Sequence, residues 1–402
     1  MKFNLLAFAV PIAVAFILIE YQIGKRRNKD LFQLNEAVAN LNVGIAERIT
    51  DLFVGGLFIT LYHQIQIHFG FFEIKANIWT WIVLVLITDF IWYWYHRFGH
   101  EVSLFWGVHV VHHQSEDFNF TVSTRITVFQ AAVRGVFWCI LPLIGFPAPM
   151  ILVMLLIHGA YPFFTHTQLI GKLGWIEYIF VTPSHHRVHH SSNAIYMDKN
   201  YGDIFIFWDK IFGTYAAETE QPVYGLGTPL KSYSFLWQHF HFLLELGMAI
   251  KYSKGWKNKW LLIWGKPDQI DKRFRPILEK KLLQQNRGVS CKPHVNTFVM
   301  IQTVTTLLIL FLLLLLEFQL TTSQLILSAL FILICVINTG AILEKRSWVF
   351  HLEFARLAAL SIFMYSITEN AQIGLLLIAA FIILILFYQD AEERYLKLIY
   401  QH

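Results

Sequence analysis

The amino-acid sequence predicts an all-α protein with about nine membrane-crossing helices, and three observations support this fold class. Hydrophobic residues make up 56% of the 402 residues and the mean hydropathy is +0.49, whereas soluble domains are about 45–50% apolar. The excess is concentrated in runs of about 20 apolar residues, the length that crosses a bilayer as a helix. The basic residues stand between these runs rather than in one patch. The composition therefore excludes a nucleic-acid partner.

Nine stretches fit the length and composition of a span. The second stretch is the weakest, because His63 and His68, with two glutamines between them, interrupt its apolar run. The first begins almost at Met1 without a basic leader or a small-residue cleavage site, so we interpret it as a retained span. The predicted spans are residues 3–21, 51–69, 77–95, 128–146, 148–165, 297–316, 321–341, 347–367 and 371–388.

The basic residues between the runs predict the orientation of the chain. Four of them between Lys25 and Lys29 follow the first run, and the positive-inside rule places this segment in the cytosol. Alternating from there puts residues 96–127 and 166–296 in the cytosol as well. We therefore expect an integral membrane protein of the bacterial cell membrane, or of the endoplasmic reticulum if the source is eukaryotic.

The distribution of apolar runs and polar residues divides the chain into four regions. The stretch before residue 297 is basic and contains scattered apolar residues, which is typical of a linker that rests on anionic head groups. The four predicted regions are N-terminal membrane helices at 1–76, a histidine-rich catalytic region at 77–220, a cytosolic or interfacial linker at 221–296 and C-terminal membrane helices at 297–402.

Histidines are concentrated in one part of the chain. Eleven of the 18 histidines lie between His96 and His190, where an even distribution would place about four. Residues three or four apart share one face of a helix, so each group is expected to present its imidazoles in one direction. The groups are an i, i+4 pair, His96 and His100, and two i, i+3, i+4 triplets, His109, His112 and His113 followed by His186, His189 and His190.

Eight imidazoles in this pattern indicate a two-metal site. Neutral imidazole is a ligand for zinc, copper, iron and nickel, and eight are too many for one tetrahedral zinc. Two ions with three or four nitrogens each would leave positions open for oxygen. A histidine-rich metal transporter is an alternative of another class, but it predicts ligands deep within several spans. Here His96 abuts a predicted span end and the other seven lie beyond span ends.

Asp89 lies inside the third predicted span, where an ionisable residue is costly and usually functional. It precedes His96 by seven residues and His100 by eleven, so the three share one helical stripe. We expect its carboxylate to accept the second ring N–H of a ligating histidine. A neutral aspartate in a polar seam between helices is the alternative.

The three histidine boxes, HX3H, HX2HH and HX2HH in that order, resemble those of the fatty acid hydroxylase and sterol desaturase superfamily over residues 89–215. The resemblance implies a non-haem di-iron centre held by histidines in a helical membrane fold. It also implies oxidation of lipid-like substrates with O2. By this resemblance the eight box histidines are iron ligands. His166, in the sequence THTQ, matches a family position between the second and third boxes and is the ninth ligand candidate.

Four stretches are similar to the alkylglycerol monooxygenase branch of this superfamily. The branch implies cleavage of ether lipids to a fatty aldehyde and a glycerol derivative, with tetrahydrobiopterin as electron donor and Glu101 as an essential acid. The four predicted spans after residue 296 also fit it, although Ile126 stands where the branch pattern has glutamine. The stretches are HRFGHE at 96–101, HVVHHQSEDFN at 109–119, TPSHHRVHH at 182–190, and DKNYG at 198–202 with WDKIFGT at 208–214.

The electron donor and the exact lipid stay open in the sequence. Glu116 and Asp117 are candidates to meet the guanidine-like edge of a pterin, and capping a helix or pairing with an arginine are alternatives. A protein reductase is the other possible donor. Sterol, carotenoid or acyl-chain hydroxylation or desaturation is the alternative reaction within the superfamily. His158 is a candidate ligand or a packing residue, and His185 is expected to contact the substrate or support a ligand.

Overall fold

The computed structural model describes residues 2–283 and 290–401, and most of these residues are helical. Eighteen α-helices are assigned in the described ranges: α1 (Ala9–Arg26), α2 (Leu34–Phe69), α3 (Ile78–Glu101), α4 (Ser103–His109), α5 (Phe120–Ser123), α6 (Gln130–Trp138), α7 (Ile140–Ile144), α8 (Ala148–Thr165), α9 (Pro183–His189), α10 (Phe207–Phe212), α11 (Phe235–Tyr252), α12 (Trp256–Trp264), α13 (Phe274–Leu282), α14 (Val295–Leu316), α15 (Thr322–Leu343), α16 (Val349–Thr368), α17 (Ala371–Leu386) and α18 (Tyr388–Ile399).

Short elements join these helices. Strands β1 (Ser290–Cys291) and β2 (Tyr400–Gln401) pair antiparallel and tie the C-terminus to the start of α14. Six 3₁₀ turns occur in the described ranges: Leu5–Phe8, His112–Gln114, Gly174–Tyr178, Ala194–Tyr196, Pro267–Gln269 and Glu317–Gln319.

Six helices of the described chain are long and apolar enough to cross a membrane, and a seventh span is possible if α17 and α18, bent by 79°, count as one. The predicted all-α membrane fold is therefore confirmed, whereas the predicted count of nine spans is not. The six are Leu5–Arg26, Ile78–Glu101, Ala148–Thr165, Val295–Gln319, Thr322–Leu343 and Val349–Thr368.

Two of the nine predicted spans fall on helices of a different kind. Residues 51–69 form the second half of the 36-residue helix α2, whose first half contains the buried residues Glu47 and Asn42. Residues 128–146 fall on α6 and α7, which together cover Gln130–Ile144. At 1.5 Å per residue such a stretch is about 22 Å long, short of the ~30 Å hydrocarbon core.

Three of the spans end on the same side of the molecule. Arg27, just after α1, donates to the carbonyl oxygen of Leu169 (3.3 Å), a few residues after the end of α8. The histidines at the end of α3 and the one directly after α8 belong to two groups of imidazoles that are in contact. The chain returns through α2 and through α6 and α7, whose far ends meet where Phe71 N–H donates to Leu143 O (2.8 Å). The ends of α1, α3 and α8 therefore surround one region, the histidine-rich region.

Candidate metal centre

Helix α3 carries the first histidine box in its last turns. Asn77 caps the helix by accepting the N–H groups of Trp79 (2.9 Å) and Thr80 (3.1 Å), as short polar side chains do at helix starts. The helix continues unbroken to Glu101, so His96 and His100 share its inner face as predicted. His96 is buried and His100 is half-buried.

The two triplets do not each face one direction, and that part of the prediction was wrong. Helix α4 ends at His109, and the other two histidines of the second box follow in a 3₁₀ turn. In both triplets the first and last histidines join one cluster and the middle histidine joins the other. On a helix of 3.6 residues per turn, positions i and i+4 lie about 40° apart, but i+3 and i+4 lie about 100° apart. Each triplet therefore bridges two clusters.

The nine predicted ligands come together in two adjacent clusters. Within each cluster the candidate ligand atoms all lie within 4.8 Å of one another. The rings of His113 and His190, one from each cluster, stack with centroids 4.4 Å apart, so the clusters are in contact. The five-histidine cluster contains His96, His100, His109, His113 and His189, and the four-histidine cluster contains His112, His166, His186 and His190.

Four of the nine imidazoles donate their Nδ1–H to a backbone carbonyl oxygen. A carbonyl can only accept, so each of these rings is the tautomer with a bare lone pair on Nε2. Carbonyl partners of this kind commonly orient metal-binding histidines. The four bonds run from His96 to Tyr201 (2.8 Å), from His112 to Arg125 (3.1 Å), from His166 to Pro162 (2.6 Å) and from His189 to Lys199 (3.0 Å).

In the four-histidine cluster, two of these bare Nε2 atoms face each other without a proton between them. The Nε2 atoms of His112 and His166 are 3.2 Å apart, although both rings carry their hydrogen on Nδ1. The Nε2 atoms of His100 and His189 are buried and have no hydrogen-bond partner. Unpaired polar atoms of this kind are costly in a protein interior. A cation among the converging lone pairs would relieve both features, so the residues present fit a metal.

Burial keeps the cluster histidines neutral. It lowers the pKa of His166 to about 4. Burial, together with the neighbouring imidazoles, also holds the pKa of six other cluster histidines well below the usual range. Neutral imidazole is the form that binds metals, so protons do not compete with a cation near neutral pH. These six are His109, His112, His113, His186, His189 and His190.

Asp89 does not contact a cluster histidine, contrary to expectation. It is fully buried and accepts the backbone N–H groups of Ile204 (2.9 Å) and Phe205 (3.2 Å) and the indole N–H of Trp208 (3.0 Å). The Nδ1–H of His96, one of the two histidines on the same helical stripe, is donated to the carbonyl oxygen of Tyr201 instead.

Asp89 belongs to a third buried group, together with His158 and Asp203. The Nδ1 atom of His158 is 2.5 Å from Asp203 and 3.8 Å from Asp89. His158 is therefore outside both clusters, as the packing alternative has it. Asp203 was missed in the sequence. The available signal was its position, directly after the DKNYG motif.

The other predicted acids lie outside the clusters. Glu101 forms an ion pair with Arg97 (3.0 Å) at the end of α3 and is half-buried. Asp117 accepts the backbone N–H of Gln33 (2.7 Å), and burial raises the pKa of Asp117 to about 7. His185 closes the capping box of α9, which accounts for it without metal contact.

Glu116 lines a polar cavity of about 260 Å³ beside the clusters. The fully buried Arg125 forms part of its wall and donates to Gln114 Oε1 (2.6 Å), while its backbone carbonyl accepts from His112. Gln114 directly follows His113 in the chain. Arg125 therefore connects the cavity to the four-histidine cluster through a hydrogen bond with His112, and Gln114 connects it to the five-histidine cluster through the peptide bond with His113. Its polar lining includes Glu36, Gln114, Glu116, Arg125, Tyr233 and Gln238.

A fold of apolar helices that encloses clustered neutral histidines defines a class, that of the integral membrane proteins with a candidate metal centre. A family model described as fatty acid hydroxylase matches residues 81–214. Human alkylglycerol monooxygenase is 35% identical over 261 residues, which is 64% of this chain and 58% of that protein. The Danio rerio alkylglycerol monooxygenase is 31% identical over 357 residues, or 87% of this chain and 79% of the relative.

A more distant relative is the ornithine lipid hydroxylase OlsE of Rhizobium tropici, 30% identical over 135 residues, which is 33% of this chain and 40% of that protein. No solved structure matches the chain. The extent and identity of the match to the Danio rerio protein show that the chain belongs to the alkylglycerol monooxygenase family, within the fatty acid hydroxylases. Membership in this family confirms the predicted superfamily and the predicted enzyme class, a lipid monooxygenase.

Proposed function

We propose that the nine clustered histidines bind two iron ions per chain and that the protein uses them with O2 to oxidise a lipid. The observation that carries this proposal is the pair of adjacent clusters, of five and four imidazoles, in contact at His113 and His190. Imidazole is a suitable iron ligand. A ligand set of neutral nitrogens fits two ions that keep positions open for oxygen.

We propose that the lipid is an alkylglycerol, because the relatives of this chain carry that substrate in their name. Bound iron would supply the activation of O2 for insertion of one oxygen atom beside the ether oxygen. Each ether consumes one O2, two electrons and two protons, and the second oxygen atom leaves as water. The hydroxylated ether is a hemiacetal, and its carbon–oxygen bond breaks to give a fatty aldehyde and glycerol.

The protein's own residues exclude water and hold the site in place. Phe118 is fully buried, and its ring stacks on His166 with centroids 5.5 Å apart and on Tyr224 with centroids 4.8 Å apart. Trp106 lies against His113 with centroids 5.8 Å apart. These aromatic rings cover both clusters with apolar surface, which limits loss of oxidising equivalents to water.

We propose that a reduced pterin supplies the electrons from the cavity that contains Glu116. The edge of a pterin carries N–H donors like those of guanidine, and the carboxylates of Glu116 and Glu36 are acceptors for them. Asp117 is a weaker candidate, since it is not among the residues that line the cavity and its carboxylate accepts from Gln33. Glu116→Gln is expected to weaken binding of a reduced pterin, measured by equilibrium dialysis without lipid. Glu73→Gln, an exposed glutamate outside the cavity, is the matched control.

We propose that the clusters lie at the cytosolic face of the membrane. Lys29 donates to the carbonyl oxygen of Gln168 (3.4 Å), two residues after His166, so the basic segment after α1 is on the side of the metal ligands. Basic residues at span ends favour the cytosol. Labelling of Lys172→Cys, at an exposed residue, tests this in sealed membranes and in a background in which the three native cysteines are replaced by serine. A reagent that cannot cross the membrane should react only from the cytosolic side.

The activity is tested with purified iron-loaded enzyme, an alkylglycerol, O2 and reduced tetrahydrobiopterin, with fatty aldehyde measured by mass spectrometry. Aldehyde that forms only with pterin supports the proposal. His186→Ala should abolish it, and His68→Ala, which removes an exposed histidine on α2, should not. Hydroxylated lipid with an intact ether bond, formed only with a protein reductase, would contradict it and favour the lipid hydroxylase alternative.

A further inference from the structure

The segment of residues 198–205, after the third histidine box, touches the metal centre at two points. The carbonyl oxygen of Lys199 accepts Nδ1–H of His189 (3.0 Å), and that of Tyr201 accepts Nδ1–H of His96 (2.8 Å). Both histidines belong to the five-histidine cluster. Both hydrogen bonds from the segment therefore support the five-histidine cluster, and neither goes to the four-histidine cluster.

The backbone of this segment has an uncommon conformation. Asp198 (φ 58°) and Asn200 (φ 56°), on either side of Lys199, are left-handed. Residues with a side chain rarely adopt this conformation, although aspartate and asparagine tolerate it best. Such a conformation persists only where the surroundings hold it. This conformation occurs where the carbonyl groups of Lys199 and Tyr201, on either side of Asn200, are directed at histidines of the cluster.

Buried side chains fix the middle of the segment. Asp209 accepts the backbone N–H groups of Tyr201 (2.7 Å) and Gly202 (2.8 Å), one with each carboxylate oxygen. The side chain of Asn200 donates to the carbonyl oxygen of Ala216 (2.8 Å) and accepts its N–H (2.9 Å).

The far end of the segment is bound to the membrane helices. Asp203 contacts His158 of α8 (2.5 Å), and Asp89 of α3 accepts the N–H groups of Ile204 and Phe205. These contacts give the third buried group a role that does not require a metal. The group fixes the end of the segment against two helices. Helix α3 carries His96, and helix α8 directly precedes His166.

We propose that residues 198–205 position the five-histidine cluster. The left-handed residues Asp198 and Asn200 direct the carbonyl groups of Lys199 and Tyr201 at His189 and His96, so that the Nε2 lone pairs of both rings face the metal. Asp198, Asn200 and Asp209 are positioning residues, because they act through the two histidines. The inference rests on the proposed metal-binding role of the nine histidines and goes beyond it by assigning a support to one cluster alone.

A matched pair of substitutions at Asp198 tests the inference in full-length protein. Both Asp198→Gly and Asp198→Val remove the same exposed carboxylate. Glycine adopts the left-handed conformation at no cost, whereas a β-branched residue resists it. Iron per chain is measured after purification, and release of ferrous iron to bipyridine is followed by absorbance. We expect Asp198→Val to lose one iron about 10–100-fold faster, the usual effect of removing such support, with the second iron released at the wild-type rate. Asp198→Gly should match wild type.

The controls separate this role from general damage to the fold. Glu369→Val introduces valine at a left-handed residue (φ 48°) at the end of α16 and should leave both irons in place. Asp209→Asn, which keeps only one acceptor oxygen, should accelerate release of the same single iron.

Three results would overturn the inference: unchanged release in Asp198→Val, equal effects of glycine and valine, or equal loss of both irons. A wild-type protein that takes up no metal would instead overturn the proposed function and this inference with it.

Discussion

The two histidine clusters contain similar ligands but are supported in different ways. In the five-histidine cluster, both carbonyl groups that orient imidazoles come from one short segment, at Lys199 and Tyr201. In the four-histidine cluster they come from distant parts of the chain. Pro162 lies inside α8, and Arg125 lies in the loop after α5. The first cluster thus depends on local backbone conformation, and the second on the packing of separate helices.

Helix α2 provides much of that packing. A Cβ atom on Gly44 would lie 2.6 Å from the carbonyl oxygen of Thr124, so α2 and the Arg125 loop approach as closely as glycine permits. Asn40, one turn earlier, accepts the guanidinium N–H of Arg125 (2.9 Å). Helix α2 contributes no histidine to either cluster, but its packing determines the position of the Arg125 carbonyl group that accepts from His112.

The largest effects are expected from the central ligand of each cluster. The Nε2 atom of His109 lies 3.0–3.1 Å from those of His96 and His113, and His166 has the same place in the other cluster. His109→Ala and His166→Ala should each lower turnover by more than about 100-fold, because losing only an outer partner costs about 10–100-fold. Metal analysis should find that each variant loses its own iron. Loss of both irons in both variants would show that the clusters are a single unit.

Asp89 and Glu101 make different contacts near the metal centre, so their substitution is expected to have different effects. Asp89→Asn replaces an acceptor oxygen with an amide that cannot accept from Phe205 or Trp208, so iron of the five-histidine cluster should be lost about 10–100-fold faster. Glu101→Gln breaks the pair with Arg97 next to His100, and we expect lower turnover with both irons retained.

The control for Glu101→Gln is Glu393→Gln, which breaks a pair of the same i, i+4 spacing with Lys397 on α18. Full turnover and full iron content in both site variants would contradict the proposed supporting roles.

A smaller effect should separate the two kinds of support. In Gly44→Ala the added methyl group displaces Thr124, and overpacking of this kind costs about 1–3 kcal/mol. Iron should then leave the four-histidine cluster faster, while the five-histidine cluster is unaffected. Gly56→Ala, on the same helix with open space around it, is the control and should keep both release rates. Faster release from the five-histidine cluster would contradict the division drawn here.

The sequence predicted which histidines come together better than it predicted their grouping. Spacing identified the eight box histidines, and the resemblance to a family added His166, because helical periodicity and motifs are local properties. The division of each triplet between two clusters depends on the end of α4 at His109 and on where α9 meets the other elements. These are features of the tertiary structure, which the spacing of residues in the sequence does not determine.

Asp89 shows the same limit at a single residue. Its position inside a span was predicted correctly, since its neighbours in the sequence are apolar. Its partners, Ile204, Phe205 and Trp208, lie more than 100 positions away and could not be identified from helical spacing. The number of spans failed for a related reason. Composition does not reveal that residues 130–144 form two short helices instead of one long one.

The shared direction of α3 and α8 has an electrostatic consequence. Each helix carries a macrodipole equivalent to about half a negative charge at its C-terminal end, an effect confined to the last turn. His100 lies in the last turn of α3, and His166 directly follows α8. In the described chain neither cluster includes a carboxylate, so two helix ends supply the negative potential that carboxylate ligands provide in many other metal sites. The peptide groups of these two helices thus attract cations to clusters whose side chains are neutral imidazoles.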